Sequence, residues 1–277
     1  MRMTGLYAKN EIYMKSGANT KYYITNMTKI AAIIAAIIIT GGIIHAQNTM
    51  AGIPAGSFTR GSNDGKPDER PARTIQMSAF SMMAREVTES QYQKCVDAGK
   101  CTPARYEDGG CMAWTGRAFQ RVTVPKHLRG DDLPVVCVTW QQARAYCSSL
   151  GMRLPTEAQW EYAALGGSPS ARYSWGSSPP DGSRCATGSL KPAGSFAPNG
   201  YGLYDMTGNA WEWTADFYVA DFYETSDDVN PRGPGAGYYR VIRGGGWYSG
   251  PAELRIKNRH WFAPTFAEVS VGFRCVK

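Results

Sequence analysis

The sequence predicts one domain of mixed α+β class, with three short helices and little regular secondary structure. Three local patterns that start helices lie before Gly166, whereas the chain after Gly166 is rich in Gly, Pro, Ser and aromatic residues. No linker, low-complexity block or internal repeat separates these two parts. With 43% hydrophobic and 19% charged residues, the composition is that of a globular protein.

The first 46 residues have the pattern of an export signal. Lys29 precedes a weakly polar run, 30–44, which His45-Ala46-Gln47 follows. This order predicts a signal peptide that is cut after Ala46, with an uncleaved anchor as the alternative, although the run is shorter than the ~20 residues that span a bilayer. Met27 could start the signal by itself, so residues 1–26 would be a mis-called extension. The domain is therefore expected over residues 47–277, in the periplasm or secreted.

Charge and cysteine content exclude some classes of partner. The net charge is +7, but +4 of it lies in the first 46 residues, and no Lys/Arg cluster is interleaved with aromatic residues later in the chain. Nucleic acid is therefore not expected as a partner. The seven cysteines all follow the predicted cut, which favours disulfides in an oxidising compartment. No CxxC or Cys/His spacing predicts a zinc site.

Helix starts are predicted by three capping boxes, each a threonine followed three residues later by a glutamine. They begin at Thr88, Thr139 and Thr156. Glycines are expected to end these helices at Gly99, Gly151 and Gly166. In the second helix, helical spacing predicts a core-facing side formed by Trp140, Ala143, Cys147 and Leu150.

Strands are predicted where short apolar or β-branched segments are bounded by turn residues. The mature region opens with a strand at 53–58, a charged loop at 63–73 and a second strand. Later strands are expected at 238–243 and 271–276.

Five segments, taken together, carry a family resemblance. They are LPVVCVTW (133–140), RLPTEAQWEYA (153–163), YGLYDMTGNAWEW (201–213), RVIRGGGW (240–247) and VGFRC (271–275). Their order and spacing resemble the formylglycine-generating enzyme, or sulfatase-modifying factor, family from about residue 50 to the end. The resemblance implies a variant of the C-type lectin fold, and it is more specific for fold than for activity.

The same segments also have a purely structural interpretation. In the helix that Thr156 caps, Trp160 and Ala163 should face inward, while Glu157 and Glu161 can pair with cations such as Arg153. The run 244–246 consists of three glycines, which permits a close backbone approach or a positive φ.

A structural calcium site is implied by the resemblance. Its ligands would be two side-chain oxygens and two backbone carbonyls, from Asp205, Gly208, Ala210 and Glu212. The alternative is that Asp205 and Glu212 only cap or salt-bridge local structure. A further calcium site of the family is expected to be missing, because residues 185–192 contain no Asp, Glu or Asn.

The copper centre of a formylglycine-generating oxidase resembling this chain would need two thiolates just after the glycine turn. Soft Cu(I) is not held by hydroxyl or carboxylate in their place. Ser249 stands at the first cysteine position and the second cysteine is absent, so copper is not expected.

Disulfide pairing is implied in part by the resemblance, in which Cys147 pairs with Cys275. Cys95 and Cys101 are close enough in sequence for a local bridge. The sequence leaves the pairing of Cys111, Cys137 and Cys185 open. We expect a bond between Cys111 and Cys137, which would leave Cys185 unpaired.

The predicted groove beside the lost copper centre is polar and aromatic. Its expected lining is Trp211, Arg243, Trp247, Arg255, Asn258, Arg259 and Trp261. Arg255 and Arg259 have a favoured alternative as scaffold salt bridges. The candidate catalytic residues are Ser249, Glu253 and His260. Candidates for proton transfer are Glu253, His260 and Tyr248.

Three functions are compatible with this pattern. The favoured hypothesis is an exported binding or accessory module that holds an unknown peptide, glycan or small molecule. It is expected to be a monomer and to contact a membrane only if its signal sequence is not cleaved. The alternative is an oxidoreductase with non-cysteine chemistry, similar to the pyoverdine-maturation oxidase. A true formylglycine-generating oxidase acting on sulfatases is the third, so the sequence leaves open whether the domain is an enzyme.

Overall fold

The computed structural model describes residues 49–277, and the predicted export signal lies outside the described residues. Within 49–277, no helix combines the length and the apolar character needed to cross a bilayer. The described part is a mixed α+β domain, as the sequence predicts. Its strands are β1 (Met50–Ile53), β2 (Gly56–Arg60), β3 (Arg73–Met77), β4 (Phe80–Met83), β5 (Cys111–Trp114), β6 (Phe119–Val122), β7 (Trp211–Phe217), β8 (Arg240–Arg243), β9 (His260–Phe262) and β10 (Val271–Gly272).

The strands form several small sheets. β1 pairs with β4, β2 with β3 and β5 with β6, each antiparallel. The other four form one sheet in the order β10-β7-β8-β9, in which only the β10–β7 pair is parallel. This sheet, together with the loops after β8 and before β10, positions the candidate site.

Predicted strands are shorter in the structure than in the sequence pattern. The segment 53–58 is split into β1 and β2 at Pro54, which has no N–H to donate to a ladder. Tyr238 is 89% exposed and lies before β8. Of the predicted strand 271–276, only the first two residues join the sheet, while Val276 makes isolated bridges to Met82 and Arg153.

The three predicted helices are confirmed as α1 (Glu89–Asp97), α2 (Trp140–Ser149) and α3 (Glu157–Leu165). Each begins directly after its threonine, whose hydroxyl accepts the glutamine N–H at 3.1–3.3 Å, and each capping box is complete. A fourth helix within residues 49–277, α4 (Phe222–Thr225), is one turn long. It was not predicted, because Asp221 before it makes no side-chain cap.

The predicted core face of α2 is correct for three of its four residues. Trp140, Ala143 and Cys147 are buried, but Leu150 is 42% exposed. Leu150 follows the last helical residue as the C-cap, so it no longer lies on the helical stripe.

Helix α3 is buried along its whole length, which corrects one prediction about its glutamates. Glu157 and Glu161 lie inside the protein and form ion pairs with buried arginines rather than with Arg153. The helix ends at Gly166, where φ is 57°. A Cβ at this position would lie 2.8 Å from the Asn199 side chain and 2.8 Å from the backbone nitrogen of Gly200. Only glycine suits that position.

All three proposed disulfides are present. Cys95 bonds Cys101, Cys111 bonds Cys137 and Cys147 bonds Cys275. Cys185, the remaining cysteine of the described chain, is free and buried.

Candidate functional site

The glycine run after β8 brings two loops into close contact. Gly244 and Gly245 have φ of 99° and 80°, a region that side chains rarely adopt. A Cβ on Gly246 would lie 2.8 Å from the Ser270 Cβ. The positive φ values and the close approach are what the glycine run was predicted to permit, and they bring Gly246 against the segment that leads into β10.

The position that the resemblance assigned to the first copper ligand holds a hydroxyl, and the buried Leu254 follows it on the same loop. The Ser249 Oγ accepts a hydrogen bond from the Gly246 N–H at 3.1 Å, within a local turn. Leu254 is 3% exposed and packs in a cluster with Tyr173 and Cys185. Burial raises the pKa of the Cys185 thiol, which keeps it protonated near neutral pH.

The buried carboxyl group of Glu268 lies beside this loop and was not among the predicted site residues. The Tyr248 hydroxyl donates to Glu268 Oε1 at 2.8 Å, while the N–H and hydroxyl of Ser270 donate to Oε2 at 2.8 and 2.6 Å. Burial raises the pKa of Glu268, and burial together with the charge of Glu268 raises the pKa of Tyr248. An acidic residue within the apolar run 266–271 was the available signal.

The tryptophans predicted to line the groove each form a ring pair. Trp247 contacts Tyr248 at a centroid distance of 5.0 Å, and Tyr248 is 39% exposed. The Trp211 ring lies 5.4 Å from that of His260, but Trp211 is buried. Trp261 stacks near Tyr239 at 4.2 Å.

The two remaining proton-transfer candidates differ in exposure. Burial, and next the charge of Lys66, lowers the pKa of His260, so its imidazole is neutral at pH 7. Glu253 is exposed and its Oε2 accepts the Gly250 N–H at 3.1 Å. The Glu253 charge acts in the opposite direction and raises the His260 pKa, but burial outweighs it.

The polar members of the predicted groove are corrected by the structure. Arg243, Asn258 and Arg259 are at most 1% exposed, so they do not line an open groove. Arg243 pairs with Glu157 and Glu161, and Arg259 pairs with Glu157. These side chains tie the β8–β9 segment to α3.

Arg255 also serves as a scaffold residue. Its guanidinium donates to the buried Glu69 carboxylate at 2.5 and 2.9 Å. The scaffold alternative for Arg255 and Arg259 is therefore the arrangement found in the structure.

The buried charges beneath the site have opposite effects on two carboxyl groups. Burial raises the pKa of Glu157, but the charges of Arg259 and Arg243 outweigh it and lower the pKa to about 2. Burial and the neighbouring Glu157 charge raise the pKa of Asp216 to about 7. Asp216 Oδ2 accepts the Glu157 N–H at 3.0 Å, while its Oδ1 has no hydrogen-bond partner in residues 49–277.

Asp216→Asn is expected to remove a pH dependence of stability. Because the folded-state pKa of Asp216 lies above the unfolded value near 3.9, its contribution is fully present below that value and is lost as pH rises to about 7. Three pKa units correspond to at most ~4 kcal/mol. The free energy of unfolding of the variant minus that of the wild type should therefore increase between pH 4 and pH 8, measured by urea denaturation with disulfides intact.

The exposed Asp228 provides the matched control. It is 58% exposed and pairs with Arg73, so Asp228→Asn should give a nearly constant difference over the same pH range. A constant difference for Asp216→Asn as well would contradict the shifted pKa.

The predicted calcium ligands fit an ion only in part. Asp205 Oδ1 is buried without a hydrogen-bond partner in the described chain, and burial raises the pKa of Asp205 to about 6. A hard cation would suit such an oxygen. Glu212 does not fit, because Arg274 occupies both its oxygens at 2.7–3.0 Å and the Trp160 Nε1–H donates to Oε2 at 2.9 Å.

Backbone contacts around this loop involve a further acid. The Ala210 N–H donates to Glu86 at 3.0 Å, and burial with the charges of Asp205 and Glu212 raises the Glu86 pKa well above its usual value. The loop 185–192 is held by hydrogen bonds between Lys191 and Asn209. Calcium therefore stays a prediction in which Asp205 is the ligand that fits.

Comparison with known proteins decides the family. Residues 44–277 match the sulfatase-modifying factor enzyme 1-like domain. The chain belongs to the sulfatase-modifying factor family. It is 32% identical to the formylglycine-generating enzyme of Bos taurus over 287 residues, which cover 86% of this chain and 76% of the bovine protein.

Other similarities to this sulfatase-modifying factor domain extend over most of its length. PvdO from Pseudomonas aeruginosa has a TM-score of 0.68 at 27% identity, with 82% of this chain and 93% of PvdO covered. The serine/threonine-protein kinase pkn1 of Chlamydia pneumoniae is 37% identical over 235 residues, covering 81% of this chain. The chain spans only 37% of the length of that kinase. The similarities establish the α+β fold of this family that the sequence predicted.

Proposed function

We propose that this sulfatase-modifying factor domain is an exported binding or accessory module that lacks the copper–thiolate chemistry of a formylglycine-generating oxidase. The segment after the glycine run carries the proposal. Ser249, at the position where the resemblance implies the first thiolate, has a hydroxyl that forms a local turn, and no cysteine lies between Ser249 and the disulfide-bonded Cys275.

Copper retention by another thiol is opposed by the local chemistry. Cys185 is 1% exposed, and its raised pKa disfavours the thiolate that Cu(I) requires. The other six cysteines are in disulfides. A single protonated thiol cannot replace a two-thiolate centre.

The ligand-binding face would be centred on Trp247 and Tyr248. Their rings are partly exposed and meet edge to face, and Glu268 orients the Tyr248 hydroxyl. Aromatic faces beside hydrogen-bonding groups suit the sugar rings of a glycan or the side chains of a peptide.

The test uses purified residues 47–277 with disulfides intact. After anaerobic loading with Cu(I) and removal of loose metal, we expect no stoichiometric copper and no aldehyde from a Cys-x-Pro-x-Arg peptide. On glycan and peptide arrays we expect binding that Tyr248→Ala weakens at least tenfold. Tyr238→Ala, which changes another exposed tyrosine, should leave it unchanged.

Two outcomes would contradict the proposal. Retention of one copper per chain that is lost in Cys185→Ser would identify a thiol centre, and aldehyde formation would establish the oxidase. Equal binding by the Tyr248→Ala variant would remove the assigned binding face.

An oxidoreductase with non-cysteine chemistry is the second candidate, and the Tyr248–Glu268 hydrogen bond favours it. A buried carboxyl group with a raised pKa, linked to an exposed phenol, can hold and transfer a proton. The test measures oxygen consumption without copper in the presence of the Cys-x-Pro-x-Arg peptide. Consumption that Glu268→Gln abolishes and Glu253→Gln leaves unchanged would support this candidate against the binding module.

A further inference from the structure

A cavity of about 550 Å³ lies away from the candidate site, between the β3–β4 connection and the start of α3. None of the proton-transfer candidates named above, nor Glu268, lines it. Its volume is within the range of small-molecule sites. It therefore has to be considered separately from the site after β8.

The charged side chains that line this cavity are all cationic. They belong to Arg153, Arg232 and Lys277, and no Asp or Glu lines the cavity. Among the described residues, none of the three forms an ion pair with a carboxylate. Burial and the positive charge of Arg232 lower the pKa of Arg153, while the charge of Asp216 partly offsets this effect, so the two guanidinium groups repel each other.

Arg153 is held in place on one side only. Its Nη1 donates to Gln159 Oε1 at 2.8 Å and to the Leu154 carbonyl at 3.1 Å. Gln159 is itself fixed in the capping box of α3. Arg153 is exposed, and its Nε and Nη2 donors have no hydrogen-bond partner in residues 49–277, so a ligand in the cavity can reach them.

The opposite wall is also ordered by hydrogen bonds. The Asn230 side chain accepts from the Ser78 N–H at 2.8 Å and donates to the Ser78 hydroxyl at 3.0 Å. Its backbone N–H donates to the Gln76 carbonyl at 2.9 Å. These contacts fix the segment that carries Arg232 to the end of β3, and the buried Pro231 stiffens the connection.

We propose that this cavity binds a small organic anion through a doubly charged oxyanion group. Arginine forks pair with such groups through charge-assisted hydrogen bonds, and a ligand charge of −2 would offset the mutual repulsion of Arg153 and Arg232. The cavity volume exceeds that of an inorganic anion, and its wall includes the apolar Met77 and Phe80. An attached apolar group therefore fits the remaining space.

The test measures binding of phenyl phosphate, phthalate, inorganic phosphate and neutral phenol by calorimetry at low salt. We expect one saturable site for phenyl phosphate or phthalate, weaker binding of inorganic phosphate and none of phenol. The stronger of the two aromatic anions distinguishes a phosphate from a dicarboxylate ligand. Higher salt should weaken binding, because the attraction is between charges.

Variants of the arginines locate the site. Arg232→Gln and Arg153→Gln should each weaken binding by ~10–100-fold, the effect of losing hydrogen bonds to a charged group. Arg232 is exposed, so its replacement does not endanger folding. Arg121→Gln, at an exposed arginine outside the cavity, should bind like the wild type. Absence of saturable binding, or an equal loss in all three variants, would overturn the proposal.

Discussion

Replacing Glu157 with glutamine is expected to destabilise the domain by about 3–5 kcal/mol, the usual effect of breaking a buried ion pair. Glu157 Oε1 accepts from Arg243 at 2.7 Å and from Arg259 at 2.8 Å, and all three side chains are at most 4% exposed. The variant keeps the shape of the side chain but leaves the guanidinium of Arg259 buried without a carboxylate. That uncompensated charge is the source of the loss.

The melting temperature provides the measurement. For a domain of this size, the loss corresponds to a decrease of roughly 6–20 °C. Glu107→Gln is the matched control, because Glu107 is 71% exposed and its pair with Arg129 should contribute at most ~1 kcal/mol. A Glu157→Gln variant that melts within 2 °C of the wild type would show that the buried network does not stabilise the fold.

The same variant has an expected pH signature. The folded-state pKa of Glu157 is about 2, below its unfolded value near 4.3, so its stabilisation is present above that value and is lost as pH falls toward 2. The difference between wild type and variant should therefore decrease on acidification below about pH 4. A difference that stays constant down to pH 2 would contradict this assignment.

Removal of the Cys147–Cys275 disulfide by paired serine substitutions is expected to lower the free energy of unfolding by ~5 kcal/mol. The bond joins residues 128 apart, and in the chain-entropy model its stabilisation increases with the length of the closed loop. It also connects α2 to the C-terminal segment after β10. Denaturant unfolding without reductant measures the effect.

The short Cys95–Cys101 bridge is the control for loop length. Its residues are 6 apart, so paired serines there should lower the stability by only ~2 kcal/mol. Equal losses for the two pairs would indicate that packing around the sulfur atoms, rather than loop closure, sets the effect.

Local features of the fold were predictable, because their hydrogen bonds connect residues that are close in sequence. The three capping boxes use a threonine and a glutamine three residues apart, so the starts of α1, α2 and α3 were correct. The predicted end of α2 at Gly151 was also correct, but Leu150 fits the helical spacing and is nevertheless exposed, because it is the C-cap beyond the last helical residue. Helix α4 was missed because it has no side-chain cap.

The family resemblance extended this prediction to the overall fold and one disulfide. It did not fix the environment of each side chain. Arg243 and Arg259 were expected in a groove, but the structure buries them against α3. Their distance in sequence from Glu157, 86 and 102 residues, explains why no local pattern indicated these pairs.

The order of the amino acids was enough to indicate where the helices start, which cysteines can form local bridges and that no cysteine lies between the glycine run and Cys275. The contact between Tyr248 and Glu268, and the cavity that Arg153 shares with Arg232, became visible only in the folded chain. The reason is that a cap needs only neighbouring residues. The pKa, burial and partner of a side chain depend instead on which distant segments the fold brings against it.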